Sequence, residues 1–277
     1  MLQRVATQRV PRGGPPGPAR RIVGTLVTQS ASLVVEGAVA RLTLERPEAL
    51  NALDRATADA LEQGLEGLER ARDVSVVIVS GRGRAFCAGN DIAEMPGLSA
   101  IEAKSLSERW QQVMDRFARL PQITIAAVRG HALGGGCMLA AAQDLRIAEQ
   151  SAHFGLPEIT LGFNPSYGIA RLLDILGGAH ARDLLLTGRR IDAAEALRMG
   201  LVTQVVPDGA LEDAATARAA EIARHPRSGI AATKAVIADI RAGRTGGEAE
   251  AYAAALRADP EARARIAAFV AKKQKRD

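Results

Sequence analysis
The sequence predicts an α/β fold, a core of stacked ββα turns with helices appended at its C-terminal end. Three features carry that expectation. Short runs of β-branched and aliphatic residues alternate about four times with amphipathic or alanine-rich segments before Val206. From about residue 211 to 273 the chain is alanine-rich and helical in pattern. Between these regions, Ile123 to Val128 is an apolar strand that runs through Gly134-Gly135-Gly136 into a helical stretch ending near Gln143. A doubly wound sheet shows the same alternation, so alternation alone leaves both architectures open.

With 277 residues the chain can bury a large core, as one domain or as one domain with a small appendage. It is 47% hydrophobic but only 3% aromatic, so that core must be built from Ala, Leu, Val and Ile. No apolar run approaches the ~20 residues that span a bilayer, so a soluble protein with no membrane partner is expected. The formal charge of +5 does not describe a binding face. Arg4, Arg9, Arg12, Arg20 and Arg21 stand in an acid-free start, and without these five the body holds 31 basic and 31 acidic residues. Nucleic acid is therefore not an expected partner. Cys87 and Cys137 lie in glycine- and alanine-rich stretches without C-x-x-C spacing, as in a reduced, cytoplasmic protein. His131, His153, His180 and His225 are scattered and give no metal-ligand spacing, so no metal is expected.

Residues 1–30 hold Pro11, Pro15, Pro16 and Pro18, four glycines and no sustained apolar period, which reads as a disordered basic tail. An Arg-rich start also fits a transit peptide, but Gly13-Gly14-Pro15-Pro16-Gly17-Pro18 makes a poor amphipathic helix. The spiral core is expected over 31–205 and the helical region over 206–277. Ser32 to Gly37 and Ala38 to Leu44 alternate as two strands around Gly37. Arg46-Pro47 ends the second. Asn51 or Asp54 then caps a helix to about Arg72, with Ala58, Leu61, Leu65 and Leu68 on one face.

Val74 to Val79 is the next strand. Gly81 and Gly83 behind it give no dinucleotide fingerprint, because no G-x-G-x-x-G frame opens a helix, and Gly-Lys-Ser or Gly-Lys-Thr for a P-loop is absent. A helix from about Ser99 to Leu120 carries Trp110, read first as a core residue, and stops at Pro121. Beyond the glycine triplet, Asp144 to Ala148 is a strand and His153 to Gly162 a loop. Helices follow at 167–177, 179–187 and 193–199, then a strand from Val202 to Val206.

Three elements stand out as chemistry: Ala88-Gly89-Asn90, Gly134-Gly135-Gly136, and Glu158, the one carboxylate in the apolar loop His153 to Gly162. A helix start leaves N–H groups unpaired and carries partial positive charge. Three glycines there let a carbonyl oxygen approach to hydrogen-bond distance, although a triplet equally serves tight helix–strand packing. Two backbone N–H groups aimed at one point stabilise a thioester oxygen as it gains enolate charge. A carboxylate in an apolar pocket, its basicity raised by burial, then moves a proton on the adjacent carbon.

These stretches resemble the enoyl-CoA hydratase/isomerase (crotonase) family. The matching text is LERPEALNAL from Leu44 to Leu53, AFCAGNDIAEM from Ala85 to Met95 and RGHALGGGCM from Arg129 to Met138. It continues with FGLPEITLG from Phe154 to Gly162 and LTGRRIDAAEA from Leu186 to Ala196. The resemblance implies a crotonase-like spiral of ββα turns whose C-terminal helices build trimers, commonly paired into hexamers. It puts the oxyanion-hole amides on Asn90 and Gly135 and the proton carrier on Glu158. It lines the coenzyme A channel with Glu48, Ala49, Leu50, Ala88, Gly89, Asp91 and Ile92, and sets Gly134, Met138 and Tyr167 against the acyl group. Lys272 or Lys273 would meet the coenzyme's phosphates. Coenzyme A enters as part of an acyl-CoA substrate, with no separate cofactor.

Two departures from the family pattern matter most. Hydratases of the family carry a glutamate two residues after the triplet and a second in the Pro-Glu turn; here the first position is Met138 and the second is Glu158. Two carboxylates position and split water, whereas one is suited to shuttling a proton between two carbons of the same acyl chain. Double-bond isomerisation is therefore the expected reaction, with hydration or hydration-lyase chemistry as the alternative. The loop Asn164 to Leu172 lacks a Thr-Gln pair and is one residue short, which can turn Tyr167 toward the acyl group. A third difference, Ala93 where a lysine is common, removes one phosphate contact. A reading from another class is a non-catalytic acyl-CoA or RNA-binding protein on the same scaffold, motivated by Met138 and the Arg-rich tail.

Overall fold
The computed structural model describes residues 22–274, so the expectation for residues 1–21 lies outside the described part. Order begins earlier than expected. Ile22–Val27 forms strand β1, antiparallel to β2 (Ala31–Glu36), so the tail expected to reach residue 30 is corrected from Ile22 onward. The glycines and prolines before it masked a six-residue strand whose partner lies across a tight turn. β3 (Val39–Leu44) completes the antiparallel part of the sheet.

Asp54 settles the cap of α1 (Arg55–Arg70) by accepting from Thr57 N–H at 2.7 Å. β4 (Val76–Gly81) pairs parallel with β3. Ser99 and Glu102 form a capping box on α2 (Ala100–Arg119), which ends one residue before Leu120 and Pro121. Next come β5 (Ile123–Val128), β6 (His131–Leu133), α3 (Gly135–Ala142), β7 (Leu145–Glu149) and β8 (His153–Gly155). The segment 153–162, expected to be loop, therefore holds a strand and a 3₁₀ turn over Pro157–Leu161.

α4 (Ile169–Thr187) covers the two helices expected at 167–177 and 179–187, and breaks where they were divided, at Gly177 with φ 68° and ψ 167°. β9 (Arg190–Asp192), α5 (Ala193–Arg198) and β10 (Gln204–Val206) follow. The last helices are α6 (Leu211–Ile222), α7 (Arg227–Arg241), α8 (Glu248–Ala258) and α9 (Pro260–Gln274).

Seven strands order as β1-β2-β3-β4-β5-β7-β10, parallel from β3 onward. Both faces of its middle are covered, as a parallel sheet requires. Val77 and Val79 of β4 face a core shared with α1, α2 and α3, while Val76 and Ile78 pack against Leu211, Ala215 and Ala219 of α6. A second, three-stranded sheet runs β6-β8-β9. An isolated bridge from Cys87 to Ala132 extends it, giving a rung of buried residues Cys87, Ala132, Phe154 and Ile191 drawn from successive turns of the chain. That rung is the spiral in physical terms: each turn adds one small or apolar residue to a common column. It brings the loop after β4, the triplet before α3 and the loop after β8 to one place.

Candidate active site
The glycine triplet stands where β6 turns into α3. Gly134 N–H donates to Gly155 O at 2.8 Å, which ties the turn to β8. Gly134 has φ 51° and ψ −125°, a conformation that only glycine adopts without strain, and a Cβ there would lie 2.8 Å from Glu158 Oε1. A Cβ on Gly135 would overlap Asn90 Oδ1 and Tyr167 Oη, and one on Gly136 would overlap the Cys87 carbonyl. Gly136 thus serves helix–strand packing, whereas Gly134 and Gly135 face the acid and the Asn90 loop.

The loop carrying Asn90 is held as a single parallel bridge to Leu53. Leu53 N–H donates to Gly89 O at 2.8 Å and Asp91 N–H donates to Leu53 O at 2.9 Å. A residue flanked in this way turns its own N–H to the opposite side. Among the described residues neither Asn90 N–H nor Gly135 N–H has a protein acceptor. The two amides are neighbours, since a Cβ on Gly89 would lie 3.6 Å from Gly135 N. Gly135 is the first residue of α3, so its amide shares the positive end of that helix.

Behind the loop, Arg46 pairs with Asp54 at 3.0 Å and Asp91 at 3.1 Å. Buried Asn51 accepts from Arg46 N–H and donates to the carbonyls of Arg82 and Ala85. These two residues position the Asn90 loop, and the LERPEALNAL stretch was their only signal in the sequence.

Glu158 sits on the Pro157–Leu161 turn, and its Oε2 is buried without a protein partner. Burial pushes its carboxyl above the ordinary 4.5. Met138 on α3 is buried with its thioether against Gly168, and Tyr167 Oη donates to Asn90 Oδ1 at 2.7 Å. Burial pushes the Tyr167 phenol upward, which makes it a hydrogen-bond donor and not a proton carrier. The Cys87 and Cys137 thiols are each pushed up to about 12 by burial, which disfavours the thiolate at either.

These groups share a cavity of about 340 Å³ with apolar walls from Leu106, Trp110, Leu161 and Phe163. Trp110 is at once core and wall. Of the residues singled out in the sequence, Ala88, Gly89, Asn90, Asp91, Ile92, Gly134, Gly135, Met138, Glu158 and Tyr167 line this cavity. Glu48, Ala49 and Leu50 do not; their turn sits next to the loop, with Leu50 O accepting from Ala88 N–H at 3.0 Å. Lys272 is exposed on α9, which packs on α8, and does not reach the cavity; the Lys273 side chain lies outside the described residues. A larger cavity of about 840 Å³ lies between the starts of β5 and β7 and the helices α7–α8. Its buried cations are engaged, Lys234 with Asp144 at 2.7 Å and Arg146 with the carbonyls of Gln143 and Leu201, so the chemistry is assigned to the smaller one.

Known proteins share this design. The enoyl-CoA hydratase/isomerase family profile matches residues 35–274. A probable enoyl-CoA hydratase of Rhizobium meliloti is 47% identical over 189 residues, 66% of this chain and 72% of that protein. The short-chain-enoyl-CoA hydratase of Clostridium acetobutylicum is 41% identical over 182 residues, 65% of this chain and 70% of its own. The crystal structure of an enoyl-CoA hydratase from Bacillus anthracis superposes with a TM-score of 0.81 at 33% identity, covering 89% of this chain and 97% of that one. An enoyl-CoA hydratase/carnithine racemase from Magnetospirillum magneticum gives 0.84 at 32%, covering 90% and 94%. A ββα spiral that sets two free amides and a buried acid around one cavity is thus a crotonase fold. The chain belongs to the enoyl-CoA hydratase/isomerase family, and it is an enzyme of the crotonase superfamily.

Proposed function
We propose that the chain isomerises an enoyl-CoA, moving a double bond through an enolate with Glu158 as the single proton carrier. One observation carries this reading: the Glu158 carboxylate, its Oε2 buried without a protein partner, faces the start of α3, and the α3 side chain that lines the same cavity is Met138. The amides of Asn90 and Gly135 receive the thioester oxygen. Glu158 takes a proton from C2 of a 3-enoyl thioester, and the C–H electron pair flows into the carbonyl as the oxygen gains charge. The carboxylic acid so formed returns that proton to C4 while the pair collapses back, leaving the double bond at C2–C3. Proton and electrons balance within the acyl chain, and no water enters. The other acids lining the cavity are engaged, Asp91 with Arg46 and Glu94 with the Arg55 N–H.

The test is to mix the protein with a 3-enoyl-CoA and follow the rise in absorbance of the conjugated 2-enoyl product. Glu158→Gln is expected to lower kcat by about 10²–10⁴-fold. No turnover, or an equally fast variant, overturns the proposal. Hydration is the second reading, favoured by the relatives named as hydratases. It predicts 3-hydroxyacyl-CoA from crotonyl-CoA, with no 3-enoyl turnover.

The same reading includes a cytoplasmic homotrimer or dimer of trimers. Exposed Ile237, Ile240, Tyr252 and Phe269 on α7–α9 support assembly through the C-terminal helices. The free, buried cysteines agree with a reducing compartment. Contacts from the Glu48–Leu50 turn or from Lys272 and Lys273 to the coenzyme draw no support from the cavity of this single chain.

A further inference from the structure
Tyr167 stands apart from the acid and from the amides, yet it touches the residue that carries one of them. Its ring is 6% exposed and its hydroxyl donates to Asn90 Oδ1 at 2.7 Å. The segment that presents it is stapled to α2 at both sides: Ser107 Oγ donates to Ser166 O at 2.9 Å, and Gly168 N–H donates to Gln111 Oε1 at 3.0 Å. Gly168 also rests against the Met138 thioether. Asn90 Oδ1 and Tyr167 Oη together cover the Cα of Gly135, the residue bearing the second amide. On its other side the Asn90 backbone is held, among the described residues, by the bridge to Leu53. That bridge sets the side to which Asn90 N–H points, and a side-chain anchor limits the rocking that remains.

We propose that Tyr167 is a positioning residue for the oxyanion hole, its phenol fixing the Asn90 side chain over Gly135 and so the direction of Asn90 N–H. The hydrogen bond couples the carbonyl-binding corner to α2, which also walls the acyl pocket through Leu106 and Trp110. Acyl groups that seat against α2 therefore tighten the hole, and those that do not leave it loose. This rests on the oxyanion-hole reading above.

The test uses the full chain and a conjugated dienoyl-CoA, whose absorption moves to longer wavelength as its carbonyl is polarised. Tyr167→Phe is expected to shrink that shift and to lower kcat about tenfold, with KM changing less than about threefold. Asn90→Ala removes the acceptor and should do the same. The double variant should be no worse than the poorer single one, because both delete one interaction. Thermal unfolding of each variant reports whether it is folded. A full red shift and full kcat in Tyr167→Phe, or effects of the two substitutions that simply add, overturn the proposal while leaving the hole intact. A parent protein that binds the probe with no shift overturns the hole and the proposal together. An effect on KM alone assigns Tyr167 to acyl packing and overturns its positioning role.

Discussion

Glu158 holds a carboxylate where its charge is penalised. Its folded pKa lies above the unfolded value, so the native state binds the proton more tightly, and stability falls as pH rises through the interval between the two. Glu158→Gln removes that penalty. Calorimetry across pH should find the variant more stable than the parent above the raised pKa, with the gain gone below the ordinary 4.5. A gain that does not vary with pH would show that ionisation is not its source. The acidic limb of the kcat/KM profile should likewise lie above the usual glutamate range, because the base form appears only past the raised pKa. Met138→Glu is the complementary change. A second carboxylate in the cavity that Glu158 lines is expected to create crotonyl-CoA hydration above the parent rate, measured by loss of enoyl absorbance. Unchanged hydration would mean that position 138 does not decide between the two reactions.

At the scale of elements, the sheet and its last helices are joined by one buried cation. Lys234 of α7 donates to Gln122 O and Asp144 Oδ2, each at 2.7 Å, and Asp144 in turn receives Thr124 N–H and Oγ1 at 2.7 and 3.0 Å. Lys234→Met leaves Asp144 with its threonine bonds, so the loss is expected at the lower end for a broken buried pair, about 3 kcal/mol by urea unfolding. A loss under about 0.5 kcal/mol would show that α7 docks without this contact. The β5–triplet–α3 unit was readable from its strand pattern and its glycines. β1 and β8 were not: β1 follows a glycine- and proline-rich stretch that hides it, and β8 has three residues and acquires its identity from its partner strands.

For the whole molecule, the assembly proposed above predicts a particle three or six chains in mass by light scattering, with the exposed apolar residues of α7–α9 at its contacts. Phe269→Glu should reduce that mass, and an unchanged monomer in the parent would contradict the assembly. Phe269 is 72% exposed in a chain whose core contains few aromatics, which is hard to maintain alone in water. Residues 90, 135 and 158, far apart in the chain, meet at one cavity because successive spiral turns stack on the column from Cys87 to Ile191.

The residue types in order were enough for the α/β class, the family, the acid at 158 and the methionine at 138. Periodicity and local glycine, proline and cap chemistry act over a few residues, so one strand of text exposes them. The tertiary structure alone decided that Gly136 packs while Gly134 and Gly135 open onto the site, that Glu158 Oε2 is buried without a partner, and that Tyr167 reaches Asn90. Those are distances and burials between residues tens of positions apart, and they exist only once the turns have stacked.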